Sequence, residues 1–190
     1  VLSSPSGAGK TTMSKMLLAQ DQSIAVSISA TTRTPREGEV DGRDHHFVSK
    51  ERFEELIEQG AFLEYATVHG NLYGTLKSTV EQIFAGGQDV LFDIDYQGTQ
   101  QIKAQEEGRL VSIFILPPSM KELEQRLRSR GLDSDDVVAK RMAKARDEIS
   151  HWPEYNYILV NDDKDRCFEK IAKILQVERL RRERRPPVSY

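Results

Sequence analysis

The feature that most limits what this 190-residue chain can fold into is its opening, Val1-Leu2-Ser3 followed by Ser4-Pro5-Ser6-Gly7-Ala8-Gly9-Lys10-Thr11-Thr12. A short apolar strand runs into a glycine-rich turn, and the turn opens a helix predicted from Lys10 to about Ala19. Glycine permits the backbone turns that aim successive N–H groups at phosphate oxygens, and the helix N-terminus adds partial positive charge. In such a loop Lys10 bridges terminal phosphates and the Thr11 hydroxyl is placed to ligate Mg²⁺. The pattern G-x-x-x-x-G-K-[ST] is met except at its first position, where Ser4 stands. It names a phosphate-binding class and no more; the competing reading is an ordinary glycine turn before a helix.

The rest of the chain supports the first reading by alternation. Ile24–Ile28, Gln88–Asp93, Leu110–Leu116 and Tyr157–Val160 read as short strands rich in β-branched and aromatic residues. Between them, 78–86, 98–106, 119–129, 134–150 and 164–183 read as helices. Ser119 with Glu122 forms a capping-box pattern, and Ser134 precedes two acids in the same manner. This predicts an α/β three-layer core: a mainly parallel sheet flanked by helices. The stretch 32–77 breaks the alternation with Pro35, glycines that include Gly38, Gly42, Gly60 and Gly70, a short helix near 51–59 and a strand-like Phe62–Val68. It reads as a mixed α/β lobe inserted in the core, and 120–150 as a second, helical, arginine-rich insertion. The predicted core is then 1–31, 78–119 and 151–190.

Composition excludes several classes. The formal net charge of −3 argues against general nucleic-acid binding, and no apolar run approaches the ~20 residues of a membrane helix. Cys167 is the only cysteine, so an intrachain disulfide is impossible and a reducing, cytoplasmic setting is expected. No signal peptide is visible, and the lack of an initiator Met predicts a start inside the first strand. The basic run Arg179–Arg185 reads as the solvated end of the last helix, where cations complement the dipole.

Several side chains carry chemistry. Arg33 and Arg36 lie three apart beside Pro35, suiting two guanidinium forks on one phosphate monoester; pairing with Glu37 or Glu39 at the surface is the alternative. Glu64 and Asp95 sit in apolar segments, where a lone carboxylate is costly to bury without a partner; structural ion pairs with arginines are the alternative there. Val90-Leu91-Phe92-Asp93 is an apolar strand ending in a carboxylate, placed to hold a Mg²⁺ water or to orient Lys10.

The segments Ser27 to Glu39, Phe62-Leu63-Glu64-Tyr65-Ala66, Gly70-Asn71-Leu72-Tyr73-Gly74-Thr75, Leu91 to Gly98 and Val160-Asn161-Asp162-Asp163 together resemble the guanylate kinases. The resemblance runs in order along essentially the whole chain. It implies Mg-dependent transfer of the terminal phosphate of ATP to GMP, and to dGMP, giving ADP and GDP. It implies ATP contacts from Ser4 through Thr12, Lys10 included, with Asn161 and Arg130 flanking adenine. It places Ser29, Glu64, Thr75 and Asp95 around guanine and Arg33, Arg36 and Tyr73 at the GMP phosphate, with Asp93 close by. Thr11 and Asp93 become the metal residues, and Lys10, Arg33, Arg126, Arg130 and Arg141 the catalytic cations. Arginines paired with Glu122, Glu124 and Asp135 on a solvated face are the alternative for the last group.

A carboxylate only accepts hydrogen bonds, so it suits the N1–H and 2-amino donors of guanine and would be left unpaired by adenine. One departure stands at His45, where the family usually has a tyrosine that touches the GMP phosphate. Two other functions compete: a silent guanylate-kinase-like protein-binding module, and a kinase of a phosphorylated ribose. The intact Gly9-Lys10-Thr11 argues against the module, and Glu64 with Asp95 against the ribose kinase. The expected partners are the nucleotides ATP and GMP, without nucleic acid or membrane; oligomeric state is left open.

Overall fold

A computed structural model describes residues 1–68, 70–106, 108–129 and 134–181. In chain order, β1 (Leu2–Ser3), α1 (Lys10–Gln20) and β2 (Ile24–Val26) begin the main sheet. A lobe follows, made of β3 (Ala30–Thr31), β4 (His46–Phe47), α2 (Lys50–Glu58), β5 (Phe62–Val68) and β6 (Asn71–Leu76). The chain returns through α3 (Lys77–Ala85), β7 (Asp89–Leu91), α4 (Tyr96–Gln105) and β8 (Ile113–Leu116). Two helices, α5 (Met120–Ser129) and α6 (Asp135–Ser150), precede β9 (Tyr157–Val160) and α7 (Lys164–Arg179).

The main sheet is parallel. β1 pairs β8 and β8 pairs β9, while β2 pairs β7. A parallel bridge from Leu2 to Asp93, with Leu2 N–H donating to Phe92 O at 3.0 Å, joins the two groups. The resulting order β2-β7-β1-β8-β9 puts β1 at the centre, with crossovers on both sides of it. That is where a doubly wound sheet opens a crevice beyond its strand ends. On one face Met13 and Leu17 of α1 and Cys167 and Ile171 of α7 pack on Leu2, Ile24, Leu91, Ile113 and Ile115. On the other, Val80 of α3 and Ile102 of α4 meet Phe92 and Leu63. Burial pushes the Cys167 thiol up, as for a packing residue.

The lobe sheet runs β4-β3-β6-β5, with β3 and β6, and β5 and β6, antiparallel. Its core is Ala30, Phe53 and Phe62, the two rings stacked at 4.4 Å. Two links fix the lobe to the core. Leu63 packs in the core cluster, and α4 grips β5: Tyr65 N–H donates to Gln101 Oε1 (3.0 Å) and Gln101 Nε2 to Tyr65 O (2.7 Å). This grip matters because it brings the start of α4 beside the middle of β5.

Several boundaries differ from the sequence reading. β7 ends at Leu91 rather than Asp93, β8 starts at Ile113 rather than Leu110, and β2 stops at Val26. α4 begins at Tyr96, two residues early, because Asp95 caps it. α7 ends at Arg179, so Arg181 lies beyond the helix, and 182–190 fall outside the described residues. Ser119 Oγ does accept from Glu122 N–H (3.1 Å), whereas Ser134 makes no side-chain cap.

Candidate active site

The phosphate loop is shaped by its glycines. Gly7 and Gly9 have φ of 94° and 107°, a region that favours residues without a Cβ. A Cβ on Gly9 would lie 2.3 Å from Asn161 Nδ2, and one on Gly7 3.1 Å from Leu123 and Leu127 methyls. Asn161 is buried and its Nδ2 donates to Ala8 O at 2.7 Å. The loop is thus backed by the end of β9 and by α5, with the open first turn of α1 facing outward. Asn161, expected beside adenine, is placed behind the loop and acts on it through Ala8. Ser4, at the odd position of the motif, turns its hydroxyl to Pro5 O (3.0 Å).

Beyond the loop, the Lys10 ammonium pairs with the Asp93 carboxylate and lies 3.4 Å from Ile94 O. Ser14 Oγ donates to Asp93 at 3.4 Å, so Asp93 orients Lys10 across the strand tips. Thr11 is exposed at the same rim. One hydroxyl and one nearby carboxylate suit a small hard cation that keeps waters and phosphate oxygens as its main ligands. Among the described residues no group of three or more His, Cys, Asp or Glu could hold a metal by itself.

The second half of the site is a carboxylate pocket. Glu64 on β5 is 5% exposed and accepts from Thr75 Oγ1 of β6 at 2.6 Å. Burial pushes its carboxyl up, the Thr75 bond opposes this, and the nearby Asp95 pushes it up further. Among the described residues no arginine is seen to pair with it, so the ion-pair alternative does not describe Glu64 there. Asp95 Oδ1 caps α4, accepting from Gln97 N–H (3.0 Å) and Gly98 N–H (3.2 Å), while Oδ2 is buried without a partner among the described residues. Gly98 makes this closeness possible, since a Cβ there would lie 2.6 Å from Glu64 Oε2.

At the mouth of the lobe, Arg33 Nε donates to the Tyr73 hydroxyl (3.1 Å). Its fork grips Glu39: NH1 to Oε2 at 3.0 Å and NH2 to Oε1 at 2.9 Å. That fork, followed by a bond from Arg36 N–H, pulls the Glu39 carboxyl down to about 2. Arg33 therefore does what the surface-pairing alternative described, whereas the Arg36 side chain is exposed with no pair among the described residues. His45 sits edge-on to Tyr73 (5.9 Å), its buried Nδ1 without a hydrogen-bond partner among the described residues.

These two halves face each other across one cleft of about 440 Å³. The loop from Ser4 to Gly7 and from Gly9 to Thr12 lines it, with Ser29, His45, Glu64, Tyr73, Asp93 and Asp95 opposite and Arg141 from α6. A family model described as guanylate kinase matches residues 1–178. The curated guanylate kinase of Paramagnetospirillum magneticum is 59% identical over 184 residues, covering 97% of this chain and 86% of that one. That of Cereibacter sphaeroides is 57% identical over 187 residues, covering 98% and 89%. Among solved structures, the crystal structure of guanylate kinase from Anaplasma phagocytophilum superposes with a TM-score of 0.77 at 36% identity, over 96% of this chain and 86% of that one.

The chain belongs to the guanylate kinase family. Its α/β core is the fold shared with the guanylate kinase from Anaplasma phagocytophilum. Not every residue expected from the guanylate kinase resemblance lines the cleft. Arg126 is held by Glu122 (3.0 Å) and Asn161 O (3.2 Å), Arg33 reaches the cleft through Tyr73, and Arg130 lies outside the described residues. The neighbouring Arg128 pairs with Glu124 at 2.9 Å and with Asp135, as the solvated-face alternative described. Five cleft residues were not among the candidate site residues of this guanylate kinase sequence: Lys144 and Glu148 on α6, Ala66 and Val68 on β5, and Ile94. For the first two the signal was helical spacing from Arg141, legible once Arg141 is placed in the cleft.

Proposed function

We propose that the chain transfers the terminal phosphate of ATP to GMP, and to dGMP, with Mg²⁺, giving ADP and GDP. One observation carries the reading: buried carboxylate oxygens with no arginine partner among the described residues stand in the same cleft as a glycine-shaped phosphate loop. Among those residues Asp95 Oδ2 has no hydrogen-bond partner and the Glu64 carboxylate accepts from Thr75. Both are acceptors, so guanine's N1–H and 2-amino donors satisfy them and adenine's ring N1 does not. Thr75 and Ser29 complete the base pocket, and Tyr73, Arg33, Arg36 and His45 form the phosphate end.

At the other wall, backbone N–H groups of the loop and Lys10 hold the phosphates of ATP, with Asp93 fixing where Lys10 points. Thr11, and Asp93 through water, would hold Mg²⁺, which when bound shields the phosphate oxygens. The phosphate oxygen of GMP is already nucleophilic, so no general base is required, and catalysis is positioning and charge stabilisation. Arg126, Arg130 and Arg141 belong to a lid over 120–150 that adds positive charge and excludes water, since hydrolysis competes with transfer. In this reading the lobe of 32–77 binds GMP and the core of 1–31, 78–119 and 151–190 binds ATP. A cytoplasmic location fits the single buried cysteine.

The test is ADP production by the purified chain with ATP and Mg²⁺, in parallel with GMP, dGMP, AMP, ribose phosphate or no acceptor. Strong stimulation by GMP alone among the ribonucleotides supports the reading. Stimulation by ribose phosphate, or by no acceptor at all, rejects it.

A further inference from the structure

α6 carries Arg141, Lys144 and Glu148 at spacings of three and four, so they lie on one helix face, and all three line the cleft. The adjoining face of the helix, Val138, Met142 and Ala145, is packed on Leu123 and Leu127 of α5, which fixes the rotation of the helix. Lys144 Nζ lies 3.6 Å from Glu148 Oε1, beyond hydrogen-bond length. The pair is therefore a loose one. Glu148 is 12% exposed, and burial pushes its carboxyl up, with Lys144 opposing and Asp95 adding to the rise. Lys10 also acts on it.

Asp95 belongs to the carboxylate pocket and Lys10 to the phosphate loop. Glu148 lines the cleft that both of them line and lies within electrostatic reach of each, and Lys144 stands beside it. In the phosphotransfer reading, on which this inference rests, that is where the phosphates of the two nucleotides meet.

We propose that Lys144 is a further phosphate-contacting residue, held by Glu148 in the empty cleft and handed to phosphate oxygens when both nucleotides bind. The ammonium offers three donors on a flexible four-carbon stem and is 42% exposed, so it is free to swing. A phosphate pair carries more negative charge than the single carboxylate it displaces. The competing role is structural: Lys144 merely offsets the charge of Glu148.

A double-mutant comparison separates the two. kcat and KM for GMP and ATP are measured per folded molecule for the unaltered chain, K144M and the K144M/E148Q pair. Loss of a charged contact to phosphate predicts a fall of roughly 10- to 100-fold in kcat/KM for K144M. The double variant should stay at least about tenfold below the unaltered chain, because the lost contact is with substrate. A smaller fall in K144M, or recovery in the double variant, overturns the proposal. Failure of the unaltered chain to respond to GMP would break the function reading instead, and it is read in the same assay.

Discussion

The phosphate loop and the carboxylate pocket are built in opposite ways. The loop is made of backbone, set by two positive-φ glycines and backed by Asn161, Leu123 and Leu127. The pocket is made of side chains from β5, β6 and the cap of α4, brought together by tertiary contacts such as the grip of Gln101 on β5. A backbone site leaves a contiguous signature in the sequence. A side-chain site leaves scattered residues whose meaning depends on the fold, and it can be altered one contact at a time.

The largest expected effect strikes the loop. Lys10→Ala should lower turnover by about 10²–10³-fold or more, as for removal of a charge-stabilising donor. Lys10 is partly exposed, so the variant should stay folded, which circular dichroism checks alongside the rate. Retained turnover would end the assignment of Lys10 and, with it, the contrast between the two sites.

A smaller effect should be confined to the pocket. In Gly98→Ala the new Cβ would collide with Glu64 Oε2 at 2.6 Å and displace it. We expect KM for GMP to rise about tenfold or more through loss of a charged hydrogen bond, with KM for ATP nearly unchanged. Equal shifts in both constants would show that the pocket and the loop do not divide the substrates between them.

The smallest effect is in pH dependence, where two carboxylates of the lobe titrate in opposite senses. Burial raises Glu64 above 4.5, so its acceptor form is lost as pH falls through that raised value, and KM for GMP should climb there. The Thr75 bond holds the Glu64 carboxyl down, so Thr75→Val should move this limb to higher pH. For stability the sign reverses. The unfolded chain gives up the Glu64 proton first, so this residue's contribution weakens as pH rises from 4.5 to the folded value. Glu39, pulled down to about 2 by the Arg33 fork, adds stability that is present above 4.5 and is lost as pH falls through about 2. Urea midpoints of Glu64→Gln and Glu39→Gln across pH 2–8 should therefore diverge from the unaltered chain in opposite directions.

What could be read in advance follows the same division. The alternation of β1, α1, β2, β7 and β8 was legible because each strand is a short apolar run bounded by turn residues. β6 was missed as a strand because Gly74 interrupts it, and the reason is tertiary: a Cβ there would sit 2.7 Å from the Phe62 ring. β3 and β4 have two residues each, too few to show a period. Asp95 could have been read as a helix cap from its type and place. That its second oxygen is buried without a partner among the described residues depends on tertiary packing and is not legible in the sequence. Likewise, Glu39 was weighed as a partner for an arginine, but its two-pronged hold on Arg33 depends on how the loop closes.

The central claim is that two acceptor carboxylates select the base, and the ratio of kcat/KM for GMP to that for AMP tests it most directly. For the unaltered chain we predict a ratio on the order of 10⁴, typical of sites whose buried polar groups a wrong substrate leaves unpaired, and a collapse of that ratio in Glu64→Ala. A ratio near one in the unaltered chain, or an undiminished ratio in Glu64→Ala, would contradict the account.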